Sequence, residues 1–540
     1  MDISNTLNTI SPLKKMPASV FELIWRNIPN ASAWEDCVKF DTFQGIRRVS
    51  FYNVEIEEVI RVENTQEPLL HLILSNCSLS NCELSNAKAR TIVIQQNSTI
   101  EGLKIQDSTI GDVMIEDSQT GSVEIITSKT GRFRIEDSKI AGYLNVSESI
   151  TESFDIINST VENFLIRRKS IIRNLWFVNS KAEEFKIIGS KAIVLCFKKK
   201  SKITKTQVYH SDIELIEVSL ESFIGLFQCS LSLRGPVLLL FTESSFGQIE
   251  LNNSVFSEFT TMRLSDCLIV HLSIINFCNY GSIFFSNLKP LKRQPDFDSI
   301  KSDPAIYENE TSRTIINLSG SDLGKAQFIN CDLREFNRFE FSNTKMLDVF
   351  VAGSQMPNDS AFCLPNNEKN PLKIAEQKRL AYGQFKKIYE ARGDTAGSLP
   401  YLAFEMEAYR QQLQMEGWWK NRGELAMLWS NKLSTNYGVS WQRGLGVTFL
   451  AVIFFYSIFC YLIGYRFENN SPDDVDRFWE VVSYAPYYLN PLRDMDSVFL
   501  LPDKDFTPAA RFWDFISRIF VAYFVYQTIQ AFRKLGKSSG

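Results

Sequence analysis

A repeat with a period of ten residues runs through the middle of the chain and limits the folds that it can adopt. Serines recur on this period, with single-residue shifts, at Ser108, Ser118, Ser128, Ser138, Ser149 and Ser159. Apolar residues keep the same period at Ile105, Ile115, Ile125, Ile135, Val146, Ile156 and Ile166. Because a ten-residue unit is too short to bury a core alone, neighbouring units must stack on each other. The period therefore predicts a solenoid.

The period divides into five-residue units, each with an apolar residue at its centre and a second inward residue two positions earlier. The stretch SNCSL, SNCEL, SNAKA has the centres Leu79, Leu84 and Ala89. The stretch INLSG, SDLGK, AQFIN, CDLRE has the centres Leu318, Leu323, Phe328 and Leu333. These units resemble those of pentapeptide-repeat proteins. The resemblance implies a mainly β fold, a right-handed quadrilateral β-helix over residues 60–360, with a three-sided β-solenoid as the alternative.

The regions around the repeat have other patterns. Residues 1–59 are interpreted as an N-terminal cap, and the polar segment 289–313, which contains three prolines, as a loop between coils. Apolar residues at helical spacing predict a helical hairpin connector at 366–416. Residues 417–440 combine clustered tryptophans with basic residues, which is typical of an amphipathic helix in the headgroup region of a membrane. An amphipathic helix packed on protein is the alternative.

Two apolar runs, residues 445–465 and 512–532, lie within residues 441–540. Each has roughly the 20 residues that cross a hydrocarbon core of about 30 Å, so we predict two transmembrane helices, with buried helices of a soluble domain as the alternative. Basic residues flank the pair and acidic residues fill the loop between them, which places the N-terminal domain and the C-terminus in the cytoplasm. The expected membrane-interface anchors are Trp418, Trp419, Trp429, Trp441, Arg443, Arg533 and Lys534.

Polar residues at helical spacing mark one face of the second run, namely Tyr523, Tyr526, Gln527 and Gln530. Polar side chains within a bilayer usually face other helices or water. Because one chain supplies only two spans, this face predicts a homo-oligomer, in which the polar face either lines a pore or forms interhelical hydrogen bonds.

The loop between the runs contains an aromatic stretch that is too short to span a membrane. A short helix there is similar to the pore helix of two-span, pore-loop ion channels, and the pore-loop candidates are Phe478, Trp479, Ser483, Tyr484 and Asn490. LNPLRD stands where a TVGYG-type filter would follow, so potassium selectivity is not supported. A less selective pore, a re-entrant plug and an extracellular cap all remain open.

The order of these parts resembles a group of bacterial membrane proteins that join pentapeptide-like repeats to a C-terminal two-span, ion-channel-like module. The likeness covers the EMEAYR helix, SNKLSTNYGVSW and the closing YQTIQAFRKLGK. It implies the bacterial inner membrane and a homo-oligomeric pore or channel-like effector with a cytoplasmic solenoid, for which stress or phage defence is a conceivable setting. The alternative is a membrane-anchored scaffold that binds a protein partner through its solenoid without conduction. DNA mimicry is a third hypothesis, which Lys198, Lys199 and Lys200 oppose.

Composition and motifs argue against other classes. A net charge of -4 and a pI near 5.8 do not predict nucleic-acid binding. The three histidines, His71, His210 and His271, lack metal-ligand spacing, and no nucleophile elbow, phosphate loop or dinucleotide fingerprint occurs. Cys77 and Cys82 occupy inward slots, and Asp514 is read as a local ion pair with Arg518. We therefore expect no enzyme activity, cofactor, metal or nucleic-acid partner. The expected partners are the lipid bilayer, further copies of the chain and a protein that binds the solenoid.

Overall fold

The structure is a computed structural model, and it describes residues 13–20, 38–43, 46–63, 70–209, 211–219, 222–230, 237–291, 314–357, 359, 362–363, 370–464, 472–493 and 506–536. The chain divides into two compact units, Met1–Cys363 and Leu364–Gly540. The first unit is built from β-strands and the second from helices. Each unit is described by itself.

The first nineteen strands of the β unit are β1 (Lys14–Lys15), β2 (Val38–Phe43), β3 (Ile46–Tyr52), β4 (Val54–Glu63), β5 (Leu70–Ser75), β6 (Ser78–Ser85), β7 (Lys88–Gln95), β8 (Thr99–Gln106), β9 (Thr109–Glu116), β10 (Gln119–Ile126), β11 (Lys129–Glu136), β12 (Lys139–Ser147), β13 (Ile150–Ile157), β14 (Thr160–Arg167), β15 (Ile171–Val178), β16 (Lys181–Ile188), β17 (Lys191–Lys198), β18 (Lys202–Tyr209) and β19 (Asp212–Val218). The remaining strands are β20 (Phe223–Ser230), β21 (Val237–Thr242), β22 (Ser245–Leu251), β23 (Val255–Phe256), β24 (Thr260–Ser265), β25 (Leu268–Ser273), β26 (Cys278–Asn279), β27 (Ser282–Ser286), β28 (Lys289–Pro290), β29 (Ile315–Asn317), β30 (Gln327–Ile329), β31 (Arg338–Glu340), β32 (Phe350–Ala352) and β33 (Phe362–Cys363). A short 3-10 helix, Leu333–Glu335, follows β30.

These strands form a β-solenoid of about 12 turns, which confirms the predicted solenoid. From β3 to β22 successive strands alternate between two long sheets, so that β8 pairs with β10 in one sheet and β9 with β11 in the other, while β23 and β26 form a separate two-stranded sheet. The pairing is parallel apart from the antiparallel pair β2–β3, and Thr99 of β8 lies opposite Gln119 of β10. Each coil therefore contributes one strand to each sheet.

The five-residue unit is visible in the burial of each coil. Strand β9 and the corner before it bury Ser108, Ile110, Val113 and Ile115. Successive buried residues are therefore separated by two, three and two positions. A regular strand would bury every second residue, but here Gly111 and Asp112, in the middle of the strand, are both exposed. Two inward residues per five-residue unit are the arrangement that the repeat predicts.

Sharp corners separate the strands, and many of them place an Asn or Asp in the left-handed region, as at Asp117 with φ of 46°. The serine after the corner is buried, and its hydroxyl accepts a hydrogen bond from the backbone of the previous coil. Ser128 Oγ accepts from the Ser108 N–H at 3.1 Å, and Ser138 Oγ accepts from the Ser118 N–H at 3.1 Å. The serine period is thus a ladder that satisfies buried backbone donors.

The core accommodates large rings and small thiols. Phe133 and Phe154 stack with ring centroids 4.6 Å apart, and Phe164 follows 5.1 Å from Phe154. Cys77 and Cys82 are both buried, and burial, with a smaller effect of the Glu83 charge, raises the pKa of Cys82 to about 12. These thiols therefore act as packing groups.

The solenoid sheets include part of the predicted cap at 1–59. Strands β3 and β4 already pair in parallel with β5 and β6. A register shift between Ile56 and Val59 interrupts the five-residue period in β4, which explains why the sequence repeat is not visible there. The predicted loop at 289–313 lies outside the described residues from position 292 onward.

The second unit contains helices α1 (Pro371–Ala391), α2 (Thr395–Gly417), α3 (Arg422–Thr435), α4 (Trp441–Leu462), α5 (Pro472–Ser483) and α6 (Pro508–Gly536), with a 3-10 helix at Ala485–Leu489. Side-chain caps start three of them: Asn370, Asp394 and Ser440 accept from backbone N–H groups in the first turns of α1, α2 and α4. Helices α1 and α2 are antiparallel, as the Arg379–Gln412 and Lys386–Glu405 contacts show.

Among the described helices, α4 alone is long and apolar enough to cross a membrane. Helix α6 covers the second predicted run, but Arg518 and the glutamines lower its hydropathy. One candidate span is therefore found where two were predicted. The two helices pack together through Val452, Phe455 and Phe459 of α4 and Val521 of α6. Near their other ends a Cβ on Gly444 would lie 2.8 Å from Thr528 Oγ1, so the helices approach closely there.

Candidate functional site

The segment between α4 and α6 folds back along α4. The Tyr456 hydroxyl donates to the carbonyl of Val481, and the fully buried Tyr488 packs against Tyr456 and Phe459 with ring centroids 5.0 and 5.6 Å away. Tyr456 lies six residues before Leu462, the last residue of α4, which corresponds to about 9 Å along the helix. The connecting segment is therefore re-entrant relative to the end of α4.

Arg493 fastens the end of this re-entrant segment to α6. Its Nε donates to Asp514 Oδ1 at 3.1 Å, and its Nη2 donates to the same oxygen and to Ser517 Oγ, the latter at 2.6 Å. Its Nη1 donates to the Tyr488 carbonyl at 3.2 Å. The Arg493 and Asp514 side chains are only 1% and 3% exposed. A buried pair with this many hydrogen bonds specifies one position of the segment.

Asp514 is shared between two guanidinium groups. Its second oxygen accepts from Arg518 Nε at 2.6 Å, the ion pair that the sequence predicts. Arg493 was missed by the sequence analysis, because it is 21 residues from Asp514 and no local spacing links the two. The sequence did contain one indication of such a partner. Asp514 is an acidic residue near the start of an apolar run, and a carboxylate at such a position needs a buried partner.

The pore-loop candidates occupy different environments. Tyr484 packs against the core between α4 and α6, and Phe478 lines an apolar groove of about 390 Å³ with Tyr456, Cys460 and Val481. In contrast Trp479, Ser483 and Asn490 are exposed. Helix α5 ends at Ser483 and the 3-10 helix at Leu489, before the Asn490-Pro491 pair.

The polar face of α6 divides into an internal and an outward part. The Tyr523 hydroxyl donates to Asn431 Oδ1 on α3 at 2.9 Å, so this tyrosine is engaged within the chain. Gln530 Nε2 donates to the hydroxyl of Tyr526 at 2.9 Å, and Tyr526 is 57% exposed. Gln527 is half-buried. Tyr526 and Gln530 are therefore the part of the face that is available to other chains or to water.

A partly buried carboxylate, Glu407, joins α2, α3 and the turn before α4. Glu407 accepts from Arg410 at 2.7 Å, from Lys432 at 2.9 Å and from the Tyr437 hydroxyl at 2.8 Å. Burial by itself raises the pKa of Glu407, but these three donors outweigh burial and lower the pKa to about 2. We call these four residues the Glu407 junction. It connects the helical hairpin to the start of the candidate span.

The predicted interface anchors also fall into two groups. Trp418, Trp419, Trp429, Arg443 and Arg533 are exposed. Trp429 also lies beneath the Arg410 guanidinium, with 4.7 Å between Cζ and the ring centroid. Trp441 and Lys534 are half-buried, and the Trp441 ring contacts Phe532 edge to face at 6.0 Å. The exposed group can reach a membrane surface, while the second group packs within the helical unit.

The solenoid has an exposed aromatic patch of its own. Phe259 and Tyr280 are 64% and 69% exposed, and they lie on adjacent coils because the Tyr280 N–H donates to the Phe256 carbonyl at 3.0 Å. Val255, 45% exposed, belongs to the same coil as Phe259. Large exposed rings on neighbouring coils are typical of an interaction surface.

No protein-family model, curated protein or solved structure matches the chain. Within the part of the chain that the structure describes, no group of three or more His, Cys, Asp or Glu residues could hold a metal ion. The likeness to pentapeptide-repeat proteins is therefore carried by the repeat and by the β-solenoid.

Proposed function

We propose that the chain is a homo-oligomeric, channel-like membrane effector with a cytoplasmic β-solenoid as its sensor or scaffold. The observation that carries this proposal is the re-entrant segment between α4 and α6, which Arg493 fastens to Asp514. A segment that folds back between two apolar helices is the arrangement from which pore loops are built. An extracellular cap would not need a buried ion pair on α6.

The proposal includes a membrane topology with two spans. Helix α4 is the first span, and α6 is the second, with its polar residues facing neighbouring chains. The loop then lies outside the bacterial inner membrane, and the solenoid and C-terminus lie in the cytoplasm. The solenoid would be the right-handed, four-sided form that pentapeptide repeats adopt.

Oligomerisation follows from the outward polar residues of α6. Tyr526 is exposed and Gln530 is hydrogen-bonded to it, yet both lie in a helix that is otherwise largely apolar. In a bilayer such groups need polar partners or water, since an unsatisfied polar group in hydrocarbon is costly. Two helices cannot enclose water, so several copies would surround it.

A liposome assay tests conduction. We expect purified full-length protein to release a trapped ion indicator from liposomes, and Gln530→Leu or Gln527→Leu to reduce the rate about tenfold by removing polar groups from the water-facing helix. Ile529→Leu, a change of one exposed apolar residue on the same helix, should leave the rate unchanged. Liposomes that stay tight despite verified insertion and assembly of the wild type would refute the proposal.

A membrane-anchored scaffold is the second candidate, and the Phe259–Tyr280 patch favours it. A protein partner would bind these rings, and the helical unit would serve as an anchor. Phe259→Ser with Tyr280→Ser should then abolish cross-linking to the partner, while an unrelated two-span hairpin in place of residues 441–540 should preserve it. Conduction by the wild type together with unchanged cross-linking in the double variant would exclude this candidate.

A further inference from the structure

Lys534, in the last turn of α6, is a half-buried cation that forms no ion pair with a carboxylate of the described residues. Its Nζ lies over the turn before α4, where a Cβ on Gly438 would be only 2.9 Å away. Among the described residues no acidic group forms an ion pair with Lys534, whereas the nearby Lys386 and Lys432 reach Glu405 and Glu407 at 2.6 and 2.9 Å. An unpaired, partly desolvated ammonium is unfavourable unless an anion completes the site.

A second lysine and an open backbone turn adjoin Lys534. Lys534 is half-buried, and Lys386 on α1 is close enough for its charge to act on Lys534. Gly438, with φ of 83°, lacks a side chain and leaves open the space that Lys534 occupies. The site therefore offers a cation beside an open backbone turn, next to the Lys386–Glu405 ion pair.

Apolar rings adjoin the same turn of α6. Phe532, two residues before Lys534, is 62% exposed, and its ring contacts Trp441 at the start of α4. A cation beside exposed aromatic rings at the end of an apolar helix matches a lipid with an anionic headgroup better than it matches an acidic peptide.

We propose that Lys534 is the centre of a phosphate-binding site that takes the headgroup of an anionic phospholipid. The proposal rests on the proposed membrane location, but it does not require conduction. Free inorganic phosphate has the same chemistry and is the other possible source of the anion.

Native mass spectrometry of the full-length protein in detergent tests the site. With phosphatidylglycerol and phosphatidylcholine offered together, we expect the wild type to retain phosphatidylglycerol about tenfold better, the factor expected for one charge-assisted contact. Lys534→Gln should remove this preference and Lys534→Arg should keep it. Lys387→Gln, which removes an exposed charge from the residue after Lys386, should also keep it.

Competition identifies the source of the phosphate. Inorganic phosphate at millimolar concentration should not displace phosphatidylglycerol if a lipid is the ligand, whereas displacement assigns the site to a soluble anion and overturns the lipid assignment. An unchanged preference in Lys534→Gln, or an equal loss in Lys387→Gln, would overturn the site itself. Lipid retention is scored without ion flux, so its failure is distinct from a failure to conduct.

Discussion

Buried and partly buried charges in the helical unit differ in how well they are compensated. Glu407 has three donors within 2.9 Å, and Asp514 has two guanidinium groups, while Lys534 has no acidic partner among the described residues. A compensated charge holds elements in place, because removal of one partner leaves the others buried and unpaired. An uncompensated charge is instead a place for a ligand.

Glu407→Gln should lower the free energy of unfolding of the helical unit by about 2 kcal/mol at pH 7, a discounted value for a carboxylate whose pKa falls from 4.5 to about 2. Since the folded state lowers this pKa, the stabilisation is complete above pH 4.5 and is lost as the pH falls toward 2. Thermal melts of both proteins in detergent should therefore converge in acid. Glu390→Gln, at an exposed position of α1, should melt like the wild type at every pH.

At the scale of elements, the re-entrant segment and α6 depend on each other. The 3-10 helix contributes Tyr488 to the core, and Arg493 then joins the chain after it to the first turns of α6. The short α5 ends where Pro486 and Pro491 limit helix extension. The position of the segment is therefore held at its end by one buried ion pair.

Arg493→Gln should destabilise this arrangement by about 3 kcal/mol, since it leaves part of Asp514 buried without its partner. Arg518→Gln removes the partner that is 32% exposed and should cost only about 1 kcal/mol. The measurement is the rate at which a cysteine introduced at Tyr488, a buried position, reacts with a thiol reagent, in a background with Cys460 replaced by Ser. Equal rates in the two variants would show that Arg493 does not fasten the segment.

At the scale of the whole molecule, the chain consists of two units with different sources of stability. Coils of the solenoid contact their neighbours through parallel strands, the serine ladder and stacked rings. The stability of such a stack is the sum of contributions from each coil and from each interface between coils. The solenoid thus contains its own core, separate from that of the helices.

Residues 1–363 produced alone should therefore fold without detergent, with a β-type circular dichroism spectrum. Ser128→Ala in this fragment should cost about 1–2 kcal/mol, because the buried Ser108 N–H loses its acceptor. Ser122→Ala, outside the ladder, is the matched control and should cost less than about 0.5 kcal/mol. A fragment that aggregates or is disordered would contradict the independence of the unit.

The solenoid was predictable because its sequence pattern is local and repeated. Each five-residue unit has its inward residues at the same positions, and the serine period marks the hydrogen-bond ladder. The helical hairpin and the end of α5 were also indicated by local periodicity and prolines. The start of the solenoid was not predictable from the sequence, because a register shift in β4 breaks the five-residue period.

The amino-acid sequence by itself determined the repeat, the helical segments and the apolar runs, since these depend on neighbours along the chain. Only the tertiary structure decided which polar groups meet. It paired Arg493 with Asp514, directed Tyr523 to Asn431 and left Lys534 without an acidic partner among the described residues. These contacts join residues 21 or more positions apart, and no spacing rule encodes them, because they depend on how whole helices pack.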